Sequence, residues 1–464
     1  MTFAAEELVV DTGDTAWLLV SSALVLLMTP GLAFFYGGLN RSKSVLNMMM
    51  MSFSSIGLIS ILWLFYGFTV AFGTDQPIGD TPGFFGDLTQ YLGTKNLYAE
   101  MAFPPFPETP IPTYVIMSFQ MMFAIITVAL ISGALSDRTK FAGWLLFATG
   151  WFTLAYLPIA HMVWGGGFIG AKLGALDFAG GSAVHINAGS AALALAIVLG
   201  RRAGWPKESF KPHNVPFVAL GAGLLWFGWF GFNAGSELTA DATTAMAFVN
   251  TQVATAAGLL GWIIVEWFKN GKPTLVGASS GAVAGLVAIT PACAYILPSA
   301  AALLGVIAGV VCALAVSLKY KLKFDDSLDV VGVHFVGGWI GCLFIGFFGT
   351  AAADGGAYVK NEGLVYGGGV TQLIAQAEGA AIVTVWSFTV ALVIGFIVKA
   401  LGLFRVKAEA EADGIDIAEH KESAYDFVSG TGSSGGAFAQ AGIGGAHAAP
   451  STPAEPKPAQ PANV

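Results

Sequence analysis

The chain has 464 residues, of which 55% are hydrophobic and only 11% are charged, and its mean hydropathy is +0.70. Soluble domains carry about 25% charged residues, so this composition excludes an ordinary soluble protein and indicates an integral membrane protein. The formal net charge of -8 gives no indication of nucleic-acid binding, and the three cysteines lack metal-ligand spacing, so we expect them to be packing residues.

Apolar runs long enough to cross a bilayer recur along the chain. A spanning helix needs roughly 20 mostly apolar residues, because the hydrocarbon core is about 30 Å thick and a helix rises about 1.5 Å per residue. Eleven runs meet this condition: 15–38, 45–72, 113–133, 141–161, 184–201, 214–232, 243–268, 274–291, 295–318, 330–350 and 371–402. The last is longer than a bilayer requires, so we expect a tilted helix that projects into water. The sequence predicts an all-α integral membrane protein with eleven transmembrane helices.

The basic residues are divided unequally between alternate loops. One set of loops, together with the C-terminal segment, holds 18 of the 21 lysines and arginines, and the other set holds only Lys95, Lys172 and Lys360. Because Lys and Arg accumulate in cytoplasmic loops, we expect the N-terminus outside and the C-terminus in the cytoplasm, in a multi-pass protein of the inner (cytoplasmic) membrane. Residues 1–14 lack the basic region of a signal peptide, so we expect the first helix to stay in the membrane.

The helices show weak internal symmetry. The first five and the next five can form two repeats, and an odd number of spans per repeat makes the second insert upside down. A polar lead-in followed by Val-His recurs, with Asp177 before His185 in the fifth helix and Asp329 before His334 in the tenth. This predicts an inverted five-plus-five helix repeat plus a long eleventh helix, with both histidines near the centre.

Glycines at four-residue spacing, such as Gly277, Gly281 and Gly285, let helix backbones approach closely. They are compatible with dimerisation, but packing inside one bundle of eleven helices is the favoured interpretation.

The chain divides into four parts by composition. We predict an external N-terminal segment at 1–14, a transmembrane domain at 15–402, a cytoplasmic regulatory tail at 403–428, and an extension at 429–464. The extension is rich in Gly, Ala and Pro, has no hydrophobic pattern, and is expected to be disordered.

Few ionisable side chains lie in the predicted spans, and such residues are functional candidates because their burial in lipid is costly. His161, His185 and His334, taken singly, are equally compatible with a pore residue or a hydrogen-bonded packing residue, and Glu266 is expected at the membrane interface. His185 and His334 are favoured as pore residues because the repeat gives both an interior position and because neutral imidazoles can pass a proton. No third ligand completes a metal site, so we expect none.

Aromatic residues are dense near the predicted external ends of the helices, at Phe119, Phe123, Trp164 and the segment WFGFNAGS at 229–236. An interfacial aromatic belt is one explanation. The other is recruitment of a cation by ring faces, which gains about 0.5–2 kcal/mol. Composition alone does not choose between them.

Several motifs closely resemble the bacterial ammonium transporter family, in order through nearly all of residues 15–427. They are TPGLAFFYGGL at 29–39, IAHMVWGGG at 159–167, LDFAGGSAVHINAG at 176–189, FKPHN at 210–214, WFGFNAGS at 229–236, AFVNTQVATAA at 247–257, ITPACAY at 289–295 and DVVGVH at 329–334.

The resemblance implies a homotrimer of eleven-helix protomers, each with its own pore and without a cofactor or enzymatic activity. It implies that Phe123, Trp164 and Ser236 form the external ammonium site. It further implies that Phe123 and Phe232 are the stacked rings that close the pore below that site.

The same resemblance implies that His185 and His334 are paired pore histidines and that Asp177 is the buried acid beneath the recruitment site, in either a structural or an electrostatic role. It also implies a PII-type nitrogen regulatory protein as cytoplasmic partner. The segment GIDIAEHKESAY at 414–425 resembles the family tail, although Lys421 stands where glycine is usual. The alternative is that this segment only braces neighbouring protomers.

The expected function is transport of ammonium or ammonia, with methylammonium as a further substrate, through a hydrophobic pore. One alternative is an ammonium sensor that signals to a cytoplasmic partner with little flux, although no signalling domain follows residue 428. Another is a potassium or gas channel, which the absence of a predicted ring of carbonyl or carboxylate ligands disfavours.

Overall fold

The computed structural model describes residues 9–99, 110–208 and 210–425. The predicted extension at 429–464 and most of the predicted external segment at 1–14 lie outside the described residues.

The described chain is helical, with only turns, loops and isolated β-bridges between the helices. The predicted spans correspond to α1 (Thr12–Leu39), α2 (Val45–Phe72), α3 (Thr113–Leu135), α4 (Phe141–Lys172), α5 (Gly181–Leu199), α6 (Val215–Glu237), α7 (Ala242–Asn270), α8 (Leu275–Ile289), α9 (Pro298–Leu322), α10 (Val331–Phe348) and α11 (Thr371–Ala400). Ten of these helices are long and apolar enough to cross a membrane, whereas α8 has only 15 residues. The all-α membrane fold is therefore confirmed, and a full crossing by α8 remains a prediction.

Several helix ends differ from the apolar runs, and three of the differences concern helices that carry candidate residues. Helix α4 continues past residue 161 to Trp164 and then into a π-helical turn, and α5 begins three residues earlier than its run. Helix α6 continues in a 3₁₀ turn to Glu237, so Ser236 lies on the helix rather than after it. The cause is the same in each place, because backbone hydrogen bonding continues through glycines and polar residues that end an apolar run.

Helix α5 occupies the centre of the bundle and crosses α10 at very short range. A Cβ atom on Gly189 would lie 2.6 Å from the Cβ of Phe335, and one on Gly338 would lie 2.8 Å from the oxygen of Gly181. Real Cβ atoms do not approach this closely, so both contacts require glycine. The crossing sets His185 and His334 side by side.

Other glycines pack helices together inside the bundle. A Cβ on Gly309 would lie 2.2 Å from the oxygen of Gly258, and one on Gly285 would lie 2.5 Å from the oxygen of Ala254. These contacts join α9 and α8 to α7, so the glycine spacing serves packing within one chain.

Helices α5 and α10 share an unusual start. Residues Gly181–Ile186 and Val331–Phe335 are both π-helical, and each turn carries one of the two favoured histidines. Wide turns of this kind redirect side chains and recur at functional sites. The two matching helix starts agree with the predicted repeat of the first five and the next five helices.

The chain after α11 packs back against the loops at the same end of the bundle. The oxygen of Phe404 accepts a hydrogen bond from the Lys140 amide at 2.9 Å, and the Val406 amide donates to the oxygen of Arg138 at 3.0 Å. Two short helices follow, Ala408–Asp413 and Ile415–His420. We call this the tail end of the bundle.

Tail carboxylates bond to backbone amides at that end. Asp416 accepts hydrogen bonds from the amides of Leu46 at 3.0 Å and Asn47 at 2.8 Å, at the first turn of α2. Glu411 accepts from the amide of Ala203 at 2.6 Å. The tail thereby satisfies amide donors that lack partners within their own segments.

Candidate functional site

A narrow cavity lies in the centre of the bundle, where α5 and α10 cross. Its lining comes from six helices: Met28, Leu32 and Phe35, Ile126 and Leu130, Val184 and His185, Leu225, Trp229 and Phe232, Val283, and His334. The centre of a water molecule can move within a volume of about 10 Å³ in this cavity. The cavity therefore has room for about one molecule of that size. Ten of the twelve side chains are hydrophobic, so the cavity suits a small neutral molecule.

The two histidines meet inside this cavity. Nδ1 of His185 lies 3.3 Å from Nδ1 of His334, and the ring planes are 28° apart. Both residues are buried. Only one of the two Nδ1 atoms can carry the hydrogen of this contact, so the neutral pair consists of two different tautomers.

The second ring nitrogen of His185 is also informative. Its Nε2 is buried and has no hydrogen-bond partner among the described residues. A molecule in the cavity can therefore donate a hydrogen bond to this nitrogen, or accept one from it, without displacing a protein group.

Two stacked rings close one end of the cavity. The rings of Phe123 and Phe232 have centroids 4.2 Å apart and planes 22° apart, and both side chains are buried. The rings of Trp164 and Phe123 have centroids 6.0 Å apart and are nearly perpendicular, at 88°. This end is called the Trp164 end, and it lies at the opposite ends of the helices from the tail end.

Trp164 is held by the loop before α5. Its Nε1 donates a hydrogen bond to the backbone oxygen of Asp177 at 2.8 Å, while the Asp177 side chain points the other way. That carboxylate accepts five hydrogen bonds, from the amides of Gly180, Gly181, Ser182 and Ala183 and from the Ser182 hydroxyl, at 2.5–3.0 Å. Asp177 therefore connects the position of Trp164 to the start of the helix that carries His185.

Ser236 lies one helical turn after Phe232. Its Oγ donates to the backbone oxygen of Phe232 at 2.8 Å, which leaves the hydroxyl lone pairs free to accept a hydrogen bond from a ligand. Ser236 therefore bonds to the backbone of the residue whose ring stacks on Phe123.

Trp229, in the segment predicted as an aromatic belt or a cation-recruiting surface, lies in the cavity beside His185. Its ring stacks on His185, with centroids 5.4 Å apart and planes 23° apart, and its Nε1 donates to Oγ1 of Thr290 at 2.8 Å. Trp229 precedes Phe232 by three residues, so the two share one face of α6. The three-residue spacing from Phe232 could have predicted that Trp229 also lines the cavity.

The acid that corresponds to Asp177 in the second half was wrongly predicted. Asp329 instead accepts a hydrogen bond from Nζ of Lys319 at 2.6 Å. The amides of Val330 and Val331 donate to Asp326 at 3.1 and 2.7 Å. Asp326, and not Asp329, is therefore the counterpart.

Two further candidates lie outside the cavity. His161 bonds through Nδ1 to the oxygen of Ala71 at 2.9 Å and through Nε2 to Asp75 at 2.8 Å, so it is a packing residue. Glu266 accepts hydrogen bonds from Thr274 at the start of α8. In the described ranges, no group of three or more His, Cys, Asp or Glu side chains is placed to hold a metal ion.

The apolar cavity contains both histidines that were predicted to line a pore, and their role in a pore stays a prediction. A sequence model of the Ammonium Transporter Family matches residues 16–425. The chain belongs to the ammonium transporter family. The ammonium transporter of Mycobacterium tuberculosis strain H37Rv is 55% identical over 444 residues, which cover 91% of this chain and 92% of that protein. The ammonium transporter of Aquifex aeolicus is 47% identical over 425 residues, which cover 91% and 96%.

Solved structures of the family have the same fold. Mep2 of Candida albicans superposes with a TM-score of 0.80 at 32% identity, over 90% of this chain and 93% of that one. A structure named "Sensor Amt Protein" superposes with a TM-score of 0.77 at 27% identity, over 88% and 98%. The predicted family is thus confirmed, and its members are transporters rather than enzymes.

Proposed function

We propose that this protein carries ammonium nitrogen, and methylammonium, across the inner (cytoplasmic) membrane and that the substrate crosses the hydrophobic cavity as neutral ammonia. The observation that carries this proposal is the pair of buried imidazoles, with nitrogens 3.3 Å apart, in a cavity closed by two stacked phenylalanines. The N-terminus lies outside, so that the Trp164 end faces the exterior.

An intact cation is unsuited to this cavity. Moving an isolated charge from water into apolar surroundings costs many kcal/mol, whereas a cation–π contact returns only about 2 kcal/mol. The lining offers two imidazoles and ten hydrophobic side chains, and no carboxylate or carbonyl ring replaces the hydration shell. The charge therefore has to be separated from the nitrogen before the cavity.

The ammonium ion is recruited at the Trp164 end. The rings of Trp164 and Phe123 supply faces for the cation, and the Ser236 hydroxyl supplies a hydrogen-bond acceptor. The stacked rings of Phe123 and Phe232 form the gate that the substrate passes next. Asp177 acts structurally here, because all of its hydrogen bonds support the backbone between Trp164 and His185.

The proton can follow through the histidine pair, which makes uptake electrogenic. His185 takes a proton on Nε2 from the outer side and passes its Nδ1 proton to Nδ1 of His334, which releases its own Nε2 proton toward the cytoplasm. Proton number and charge balance, because one proton enters and one leaves. The pair is left with its two tautomers interchanged, so both rings have to reorient before the next proton passes.

Control of transport is assigned to the tail at 403–428, on the cytoplasmic face of a homotrimer. Glu411 contacts the loop before α6, and Asp416 contacts the first turn of α2, so the tail bonds directly to the bundle. A PII-type regulatory protein that binds this face would meet the tail and the basic loops together.

Uptake of radiolabelled methylammonium tests the proposed function. Cells that lack their own ammonium carriers should show saturable uptake when they express this protein, and ammonium should compete. Membrane-localised, folded protein without uptake above the vector control would refute the proposal.

A sensor is the second candidate, because the structure named "Sensor Amt Protein" shares the fold over 88% of this chain. A sensor would bind ammonium without measurable flux. The same uptake assay, combined with ammonium binding to the purified protein, separates the two functions.

A further inference from the structure

Glu237 ends helix α6, immediately after Ser236, and it is a buried carboxylate that the proposed transport route does not use. Only 9% of the residue is exposed. Its Oε1 accepts a hydrogen bond from the Tyr358 hydroxyl at 3.2 Å. Its Oε2 is buried and has no hydrogen-bond partner among the described residues.

The charged groups around Glu237 are acidic. Asp241 and Asp354 lie close enough to repel its negative charge, and in the described part of the chain no ion pair joins Glu237 to a Lys, Arg or His. Lys360, on the Tyr358 loop, donates its Nζ to the oxygen of Gly356. A buried carboxyl group without a cation nearby keeps its proton or takes up a cation in exchange for that proton, so this position favours a positively charged ligand over a neutral or negatively charged one.

An aromatic cluster adjoins the carboxylate through Tyr358, whose hydroxyl bonds to it. The rings of Tyr295 and Tyr358 are 6.0 Å apart at 64°, and Phe178 meets them edge-on at 5.5 and 6.4 Å. Burial, reinforced by the charge of Glu237, raises the pKa of the Tyr358 hydroxyl, so this group stays protonated and donates to the carboxylate. Ring faces beside a carboxylate are a recognition site for ammonium-type cations.

This cluster adjoins the proposed recruitment site on two sides. Glu237 follows Ser236, whose hydroxyl bonds to Phe232. Phe178 follows Asp177, whose backbone oxygen holds Trp164. The two sides of the cluster, Glu237 and Phe178, are thus each next in sequence to a residue of the Trp164 site or to the residue that holds Trp164.

We propose that the Glu237 carboxylate, with Tyr358 and Tyr295, forms an outer subsite that binds the ammonium cation before it reaches Trp164 and Phe123. The inference rests on the proposed function for its substrate and orientation. Ammonium and alkali cations share a single positive charge, but only ammonium donates hydrogen bonds to the carboxylate, so it should bind more tightly.

The functional test compares half-saturating ammonium concentrations in proteoliposome currents. Glu237→Gln keeps the shape and removes the charge, and should raise this concentration about tenfold, equivalent to ~1.4 kcal/mol, with the maximal current retained. Tyr358→Phe should raise it less. Asp80→Asn is the matched control, because it removes an acidic charge from an exposed residue in the α2–α3 loop. The same loop contacts α4 through the backbone oxygen of Gly83. The half-saturating concentration of Asp80→Asn should not change.

Thallium(I) provides a second test that needs neither a variant nor flux. Wild-type crystals soaked in thallium should show an anomalous peak beside the Glu237 carboxylate, and added ammonium should displace it. No peak there, or an unchanged half-saturating concentration in folded Glu237→Gln protein, would overturn the subsite. A wild-type protein with the peak but no ammonium flux would instead refute the proposed function and leave the cation site standing.

Discussion

Asp177 and Asp326 hold equivalent positions in the two halves of the bundle, each eight residues before a cavity histidine and each bonded to the first amides of its helix. Asp177 accepts five hydrogen bonds, whereas Asp326 accepts two from the backbone. Both histidines are thus positioned by a buried carboxylate, and the first half depends on it more heavily.

Asp177→Ala should destabilise the protein by about 3 kcal/mol or more, because it leaves several buried donors without an acceptor. Asp326→Ala should cost less, since fewer donors lose their partner. Thermal unfolding of the purified variants measures both.

Asp177→Asn keeps one carbonyl acceptor and decides between a structural and an electrostatic role. If the role is structural, any loss of transport should follow the loss of stability. A fully stable Asn variant without transport would contradict that assignment.

Replacing His185 or His334 with alanine should reduce the ammonium-evoked current by about tenfold or more while the protein remains folded, because the proton relay is lost. Currents in proteoliposomes and the melting temperature are the measurements. His161→Ala is the matched control. Since His161 bonds to Ala71 and Asp75 outside the cavity, this change should lower stability and leave the current per folded protein intact. Unchanged currents in both pore variants would rule out the relay.

Trp164→Leu should raise the half-saturating ammonium concentration about tenfold, because a cation–π contact of ~1–2 kcal/mol is lost. Ser236→Ala should have a smaller effect in the same direction, and both variants should keep most of the maximal flux. Methylammonium uptake over a range of concentrations measures the two quantities. Trp226→Leu, on the same helix as Ser236 but outside the cavity lining, is the control. Equal losses at all concentrations would place Trp164 and Ser236 in the translocation step.

Lys421→Gly should stabilise the folded conformation of the tail around residue 421. Lys421 has φ 56° and ψ 31°, a left-handed conformation that costs a side-chain-bearing residue roughly 1–2 kcal/mol. Glycine removes that cost, so amide hydrogen exchange in residues 415–425 should slow about fivefold, equivalent to ~1 kcal/mol. Lys407→Gly is the control, because Lys407 has φ -69° and gains nothing. Equal or faster exchange in Lys421→Gly would show that the turn is unstrained.

The sequence predicted those structural features that depend on a single physical property of the residues. Apolar run length located the membrane helices, and the start of α2 at residue 45 and its end at 72 were predicted correctly. The departure at Lys421 also has a structural meaning, because its left-handed conformation explains why glycine is usual there.

Other features depend on the path of the backbone and could not be read from composition. Asp326 and Asp329 are both plausible helix-start acids by spacing, and only the direction of each side chain separates them. Trp229 required knowing which face of α6 meets His185. That Glu237 lacks a basic partner among the described residues depends on loops far apart in sequence, so the sequence did not reveal it.

The central claim is that the nitrogen crosses the cavity without its charge, and ion selectivity tests it most directly. Wild-type proteoliposomes on a supported membrane would receive matched pulses of ammonium, methylammonium and potassium at constant ionic strength, with protein-free liposomes as background. We predict a saturable ammonium current, a smaller methylammonium current and no potassium current above background, because potassium has no proton to lose. A potassium current comparable with the ammonium current would contradict the account, since it would mean that an intact cation passes between His185 and His334.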